Sequence, residues 1–531
     1  MSVSLKTRIW NTVENPDQFP ELNDDDYRSD WVRERRDFGV AFSGGGTRSA
    51  SATLGQLRGL REIGLLEKAG YIAAVSGGSW AATPFTFLPE NIADDIFLGP
   101  VVNPENLSMQ NLGYAPEHSL AYAISHTILV DDLFKGIAGD ETYARIIGRL
   151  FLKPFGLNDT QKFFTYDEKS RVAALHNNPS SDMDFYLTRK HRPFLIVGGT
   201  LLMKGNNPEQ RKMQVEYTPI YTGIRSSFPQ AGKRKGFLSF GKKANLGGGY
   251  IETFAYDSVK PSATSENRIF QVALKRQGAR FTLSDMIGSS GAAPEEQVHK
   301  HNFTFLGFPE FEHWIVHPID QIDKNSAAEY PHGDGGSLEN FGIMPLLARQ
   351  VKKILVFINT SKPFTATADY TDDLAPLFGR RENVDEKDGE VQLRVNQVFA
   401  KEKLDAMIQS FKNCLEKGDT LIHSDEYDVM ENKHYGIRPY RAKICWIYNA
   451  QVDRWRNAIG DESLKAKIPT RSVKPDGEFR RFPHYRTFFE NKTIKGAGII
   501  DLTARQVNLL SHLPCWNVLE NRQRIAEFFQ L

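Results

Sequence analysis

The stretch from Phe38 to Val75 constrains the fold more than any other. "FGVAFS" (38–43) is a short, wholly apolar run that reads as a buried strand, and "GGGTR" (44–48) follows without a spacer. "SASATLGQLRGLREIGLL" (49–66) then places Leu54, Leu57, Leu60 and Ile63 at helical spacing. "YIAAV" (71–75) is a second buried strand. Strand, glycine turn, helix and strand in that order make a βαβ unit. Such a unit implies a parallel sheet with helices on its faces, hence an α/β fold.

Ser76 comes directly after the second strand, in "AAVSGGSWAATP" (73–84). A nucleophile on a strand-to-helix turn is forced into a strained conformation, so its neighbours must be small. Here they are Ala74, Gly77 and Gly78; the usual Gly-x-Ser-x-Gly pattern has Ala in its first place. Taken alone, Ser-Gly-Gly is an ordinary turn. In "SGGGTR" (43–48), consecutive glycines let backbone N–H groups point at a ligand, and a helix N-terminus adds partial positive charge. That suits a bound phosphate or a developing oxyanion. The dinucleotide fingerprint fails at Ser49, and no Walker A pattern is present. In "YPHGDGGSLEN" (330–340), Asp334 stands among glycines before an amphipathic helix. A turn explains Asp-Gly-Gly by itself, but a tuned aspartate can also serve a serine as general base.

Charge narrows the function classes. The chain has 531 residues, with 66 Lys plus Arg against 65 Asp plus Glu, so no global field favours nucleic acid or an anionic surface. Cys414, Cys445 and Cys515 are too few and too scattered for a disulfide framework or a zinc motif, and a reducing compartment is the expectation. The first residues lack a signal-peptide core, and no stretch approaches the roughly 20 apolar residues of a membrane span. The expectation is a cytoplasmic protein with peripheral membrane association.

In combination and order, "FSGGGTR", "YIAAVSGGSW" and "GDGG" resemble the patatin-like and cytosolic phospholipase A2 family of serine–aspartate dyad lipases. "VEYTPIYTGI" to "GGGYIETFAYDS" (215–258) is similar to the cytosolic phospholipase catalytic domain, and "IGSSGAAP" (287–294) to the small-residue stretch of patatins. The resemblance covers roughly residues 36–360. It implies a three-layer α/β/α fold with a central, mostly parallel sheet and a helical cap insertion. It implies Ser76 as nucleophile, Asp334 as its base, and Gly45 and Gly46 as oxyanion hole. Gly44 would shape that turn, Gly77 would permit the elbow, and Arg48 would support activity beside a bound phospholipid. No metal or cofactor is implied, and neither is calcium-triggered recruitment. The expected partner is a phospholipid surface, met transiently, and not nucleic acid. The implied activity is hydrolysis of fatty-acyl esters of glycerophospholipids.

Two other readings stand beside it. One is an α/β-hydrolase-type esterase with a Ser-Asp-His triad, whose late member would be His423, His434, His484 or His512, with His332 also close to Asp334 in sequence. The other is a non-catalytic lipid-binding module. Along the chain, residues 1–36 read as a polar arm, 37–531 as one catalytic domain, and 89–190 as a mainly helical cap. "HWIVHPI" (313–319), "KKILVFINTS" (352–361) and "AKICWIYNA" (442–450) read as further strands. The loop 232–243 combines Lys233, Arg234, Lys235, Lys242 and Lys243 with Phe237, Leu238 and Phe240, which suits contact with an anionic membrane surface as well as a solvated loop.

Overall fold

The computed structural model of the chain describes residues 4–125, 142–179, 181–203, 212–229, 245–263, 268–275, 280–292, 309–314, 316–317, 328–365, 374–380, 395–485 and 502–531. The basic loop 232–243 lies outside them.

The strands in chain order are β1 (Ser4–Asn11), β2 (Phe38–Phe42), β3 (Tyr71–Val75), β4 (Phe163–Thr165), β5 (Phe185–Leu187), β6 (Phe194–Leu202), β7 (Lys212–Tyr217) and β8 (Tyr221–Pro229). They continue with β9 (Asn245–Glu252), β10 (Ser258–Ala263), β11 (Ile269–Leu274), β12 (Glu310–His313), β13 (Ala328–Asp334), β14 (Lys353–Ile358), β15 (Leu421–Val429) and β16 (Tyr440–Tyr448). All but β4 and β5 join one sheet, in the order β10-β11-β1-β9-β8-β7-β6-β3-β2-β14-β16-β15, with β13 also on β6 and β12 on β13. The expected parallel arrangement is its middle: β16, β14, β2, β3 and β6 pair in parallel. The flanking strands pair antiparallel, so the sheet as a whole is mixed.

Alternation along the middle strands feeds two apolar layers. Val40, Phe42, Ile72, Ala74, Leu355 and Phe357 join one core, with Leu54 and Leu57 of the first long helix and Leu509 and Leu513 of helix Ala504–Glu520. Ala41, Ala73, Ile354 and Val356 face the other, with Leu346, Leu347, Leu404 and Phe411. The first long helix, Gly46–Glu62, is the crossover from β2 to β3; a second, Gly77–Thr86, leaves β3 at once.

Two expectations change. Residues 1–36 are not an arm: β1 lies between β9 and β11, with Leu5, Thr7 and Ile9 buried. Its alternation, in "SLKTRIW", is obscured by the acidic run that follows, and that run binds back, Asp24 and Asp26 pairing with Arg8. The predicted strand at 313–319 ends at His313 in β12; Trp314, Val316 and His317 are not in a strand. "KMQVEYTPIYTGI" (212–224) holds two strands, with Thr218 to Ile220 turning the chain between β7 and β8. In the expected cap, the described residues form five α-helices, from Asp94–Leu98 to Glu168–Asn177, and the parallel pair β4 and β5. Helix Thr142–Phe151 packs beside helix Gly77–Thr86, with Phe151 stacked on Trp80 at 4.8 Å.

Candidate active site

The register of β6 brings the two candidate catalytic residues together. β3 pairs with β6 from Tyr71 opposite Phe194 to Val75 opposite Gly198. β13 occupies the next positions on the same edge, from Asp334 opposite Gly199 to His332 opposite Leu201, but runs the other way. The two strands therefore end against each other, and the residue after Val75 meets the last residue of β13. Ser76 Oγ–H donates to Asp334 Oδ2 at 2.9 Å, with both residues buried at 4% and 7% exposure.

The elbow is strained as its neighbours require. Ser76 has φ 50° and ψ −128°, a conformation costing about 1–3 kcal/mol for a non-glycine residue. Its amide N–H donates to Ser290 Oγ at 2.9 Å, and Ser290 Oγ–H donates to the Gly198 carbonyl at 2.7 Å. Ser290 thus ties the elbow to β6. A Cβ at Gly77 would lie 1.9 Å from the Gly46 carbonyl oxygen, so only glycine fits there. Asp334 is fixed on its other sides: its Oδ1 accepts the Gly336 N–H at 2.7 Å, and its carbonyl accepts Thr200 Oγ1–H at 2.9 Å.

That close approach brings two helix N-termini together. Gly45 precedes helix Gly46–Glu62, and Ser76 precedes helix Gly77–Thr86. First-turn N–H groups lack intrahelical partners and carry the positive end of the helix dipole. Gly45 has φ 137° and Gly46 φ 57°, which aim the turn in a way an L side chain rarely adopts. The Gly44 N–H is used within the protein, donating to the Asn340 carbonyl at 2.9 Å. A Cβ on Gly44 would lie 2.2 Å from Asn340 Oδ1 and 3.0 Å from Ser76 Cβ.

Arg48 is buried beside the glycine turn. It is 5% exposed, and its Nε–H and Nη1–H donate to the Asn359 and Tyr485 carbonyls at 3.0 and 2.6 Å. Its Nη2 lies 2.4 Å from where a Cβ on Gly45 would be. The guanidinium underlies the glycine turn. Around it, Asn359 N–H donates to Ser43 Oγ at 2.7 Å, and Gln56 Nε2–H donates to Asn359 Oδ1 at 2.7 Å.

The histidines weighed as a third member are engaged elsewhere. His332 bonds Tyr256 Oη through Nε2 and the Tyr330 carbonyl through Nδ1, both at 2.8 Å, and burial lowers its pKa to about 3. His484 Nδ1 faces the Thr360 carbonyl, and His512 Nδ1 faces Arg58. His423 and His434 lie edge-on to Phe411 and Phe228.

Ser290, Thr200, Asn340 and Asn359 were not singled out as site residues by sequence. Ser290, Asn340 and Asn359 lie in "IGSSGAAP", "YPHGDGGSLEN" and "KKILVFINTS", but a hydroxyl or amide in such a stretch has no spacing that marks its partner.

Among the described residues, no group of three or more His, Cys, Asp or Glu side chains is placed to hold a metal ion, and no helix is long and apolar enough to cross a membrane. No family model and no curated protein matches the chain. Among solved structures, it is similar to human GIVD cytosolic phospholipase A2, at 11% identity and a TM-score of 0.40, over 93% of this chain and 60% of that one. The same human enzyme in complex with methyl gamma-linolenyl fluorophosphonate is 13% identical, with a TM-score of 0.40, over 93% and 59%. The chain therefore spans about three fifths of the length of the structures it is similar to.

Proposed function

We propose that the protein is a serine hydrolase that cleaves fatty-acyl esters of glycerophospholipids through a Ser76–Asp334 dyad. The observation that carries this reading is the 2.9 Å bond from Ser76 Oγ to Asp334 Oδ2 at a strained elbow. A serine hydroxyl is a weak nucleophile until a base takes its proton, and here a carboxylate touches it directly. Asp334 accepts the proton as Ser76 Oγ attacks the ester carbonyl carbon. The tetrahedral oxyanion develops before the Gly45 and Gly46 amides, where the helix N-termini stabilise negative charge. Collapse expels the alcohol, which takes its proton from Asp334, and leaves the acyl group on Ser76. Water, deprotonated by Asp334, then attacks the acyl-serine; the acyl C–Oγ bond breaks, Ser76 Oγ takes the proton back from Asp334, and the carboxylic acid leaves.

Arg48 has a positioning role in this scheme: it holds the Gly45 turn from beneath and does not grip the substrate. The fatty-acyl phospholipid substrate, the transient membrane surface and independence from calcium come from the family resemblance. The test is release of fatty acid from defined phospholipids and lysophospholipids, with calcium and with chelator. Release in both conditions, lost in Ser76→Ala, is the expected result. No release from any lipid, with turnover only of short soluble esters, would leave the dyad standing and remove the lipid.

A further inference from the structure

Helix Gly46–Glu62 carries a second charged feature far from the elbow. Arg58 lies about 18 Å along the axis from Gly46, at about 1.5 Å per residue. It is buried, and its Nε–H and an Nη2–H donate to the Leu98 carbonyl at 2.8 and 2.6 Å. Nη1 donates to Ser511 Oγ and to His512 Nδ1, both at 3.3 Å. A guanidinium has five N–H groups. These partners take four, and none of them is a carboxylate. Arg349, equally buried, holds both Glu21 and Glu216. Arg58 has no such acid among the described residues, and burial lowers its pKa.

Arg58 and His512 stand in the wall of a cavity of about 430 Å3. That is within the range of about 300–1,000 Å3 typical of small-molecule sites. Arginine can only donate, so His512 Nδ1 accepts and the ring hydrogen sits on Nε2. Burial and the neighbouring Arg58 keep the ring uncharged. The cavity wall thus offers a cation, a neutral N–H donor and no acid. Leu98, Pro100, Val102 and Ala121 give the rest of the wall an apolar side, with Tyr114, which is 68% exposed, and neutral polar side chains such as Ser108 and Asn111 complete it.

We propose that this cavity binds an oxyanion carried on an apolar body. The carboxylate or phosphate sits at Arg58 and His512, and the chain lies along Leu98, Pro100, Val102 and Tyr114. The one Arg58 N–H left over and the guanidinium's charge suit either head, and the apolar part of the wall favours an amphiphile over a bare ion. The site is separate from Ser76, and binding does not depend on the ester chemistry.

Titration calorimetry on the full chain tests it, with octanoate, octyl phosphate, octanol and inorganic phosphate as probes. At least one of the two amphiphilic anions is expected to bind tenfold or more tighter than octanol and inorganic phosphate. Comparing octanoate with octyl phosphate tells which head the site prefers. Arg58→Met, which removes the charge and keeps an apolar stem, should weaken the preferred anion at least tenfold. If that variant does not fold, Val102→Trp fills the cavity with Arg58 intact and should do the same. Ser76→Ala should bind as the native chain does. Equal binding of octanol and the anions, no anion binding at millimolar concentration, or unchanged binding in Val102→Trp would overturn the proposal.

Discussion

Ser76 holds a backbone conformation that a serine adopts only under constraint, and Ser290 is the visible constraint. One hydroxyl accepts the Ser76 N–H and donates to the Gly198 carbonyl, so it fixes the elbow against β6, the strand on which β13 and its Asp334 also pair. Ser290→Ala leaves both groups buried without that partner. Small misplacements of a nucleophile can cost about a hundredfold. The expected outcome for ester turnover is a fall in kcat of that order with KM and the pH profile unchanged. A raised KM at unchanged kcat would place Ser290 in substrate binding instead. Arg48 allows a similar separation. A residue that grips a phosphate matters only for phospholipid, whereas one that underlies the Gly45 turn matters for every ester. Arg48→Ala should therefore lower turnover of a short uncharged ester as much as that of a phospholipid. Loss confined to phospholipid would place Arg48 on the substrate's phosphate instead. Sequence made Ser76 and Asp334 legible because each sits in a local glycine pattern. It left Arg48 ambiguous, because a basic residue in the first turn of a helix reads alike whether it points outward or folds under the turn.

At the scale of elements, β2, the helix Gly46–Glu62 and β3 were legible because each has an unbroken pattern of its own period. β1 was not, since most of its residues are polar, and β15 was not, since most of it is "SDEYDV". Pro84 reads as a limit on any helix there, yet it lies inside helix Gly77–Thr86, which is buried along its length. The pairing of helix Gly46–Glu62 with helix Ala504–Glu520 was also beyond sequence. It depends on Gly55 and Gly59, four residues apart on one helix face. A Cβ on Gly55 would lie 1.8 Å from the Ser511 carbonyl oxygen, and one on Gly59 would lie 2.9 Å from Val518 Cβ. Helix propensity alone would make Gly55→Ala stabilising by about 1 kcal/mol. Here a backbone atom must move, so overpacking wins, and a net loss of about 1–3 kcal/mol is expected in urea unfolding. A gain in stability would mean that the two helices do not approach so closely.

For the whole molecule, buried charge ties distant segments together and sets the response to pH. Arg349 binds Glu21, from the N-terminal segment, and Glu216 of β7, with all three side chains nearly inaccessible. Six imidazoles among the described residues, those of His313, His332, His423, His434, His484 and His512, have lowered pKa values, chiefly through burial. The unfolded chain takes up these protons near pH 6.5 and the native chain does not, so their stabilisation is present above that pH and is lost on acidification. Glu252, Asp257 and Glu339, pushed up to about 7 by burial, and Glu312, raised by burial, act the other way. Their stabilisation is lost as pH rises from the ordinary carboxyl range through about 7. The imidazoles outnumber them, so the melting temperature should rise from about pH 5 to about pH 6.5 and then level. A fall over that interval would mean that the carboxyls dominate. The central claim is that Ser76 and Asp334 act as one unit, and it is tested most directly by turnover of a short monomeric ester. The native chain, Ser76→Ala, Asp334→Asn and the double variant are compared, each checked for native melting. All three variants should fall to the same residual rate, because removing either member removes the same step. An Asp334→Asn variant that kept most of the native rate would contradict the account.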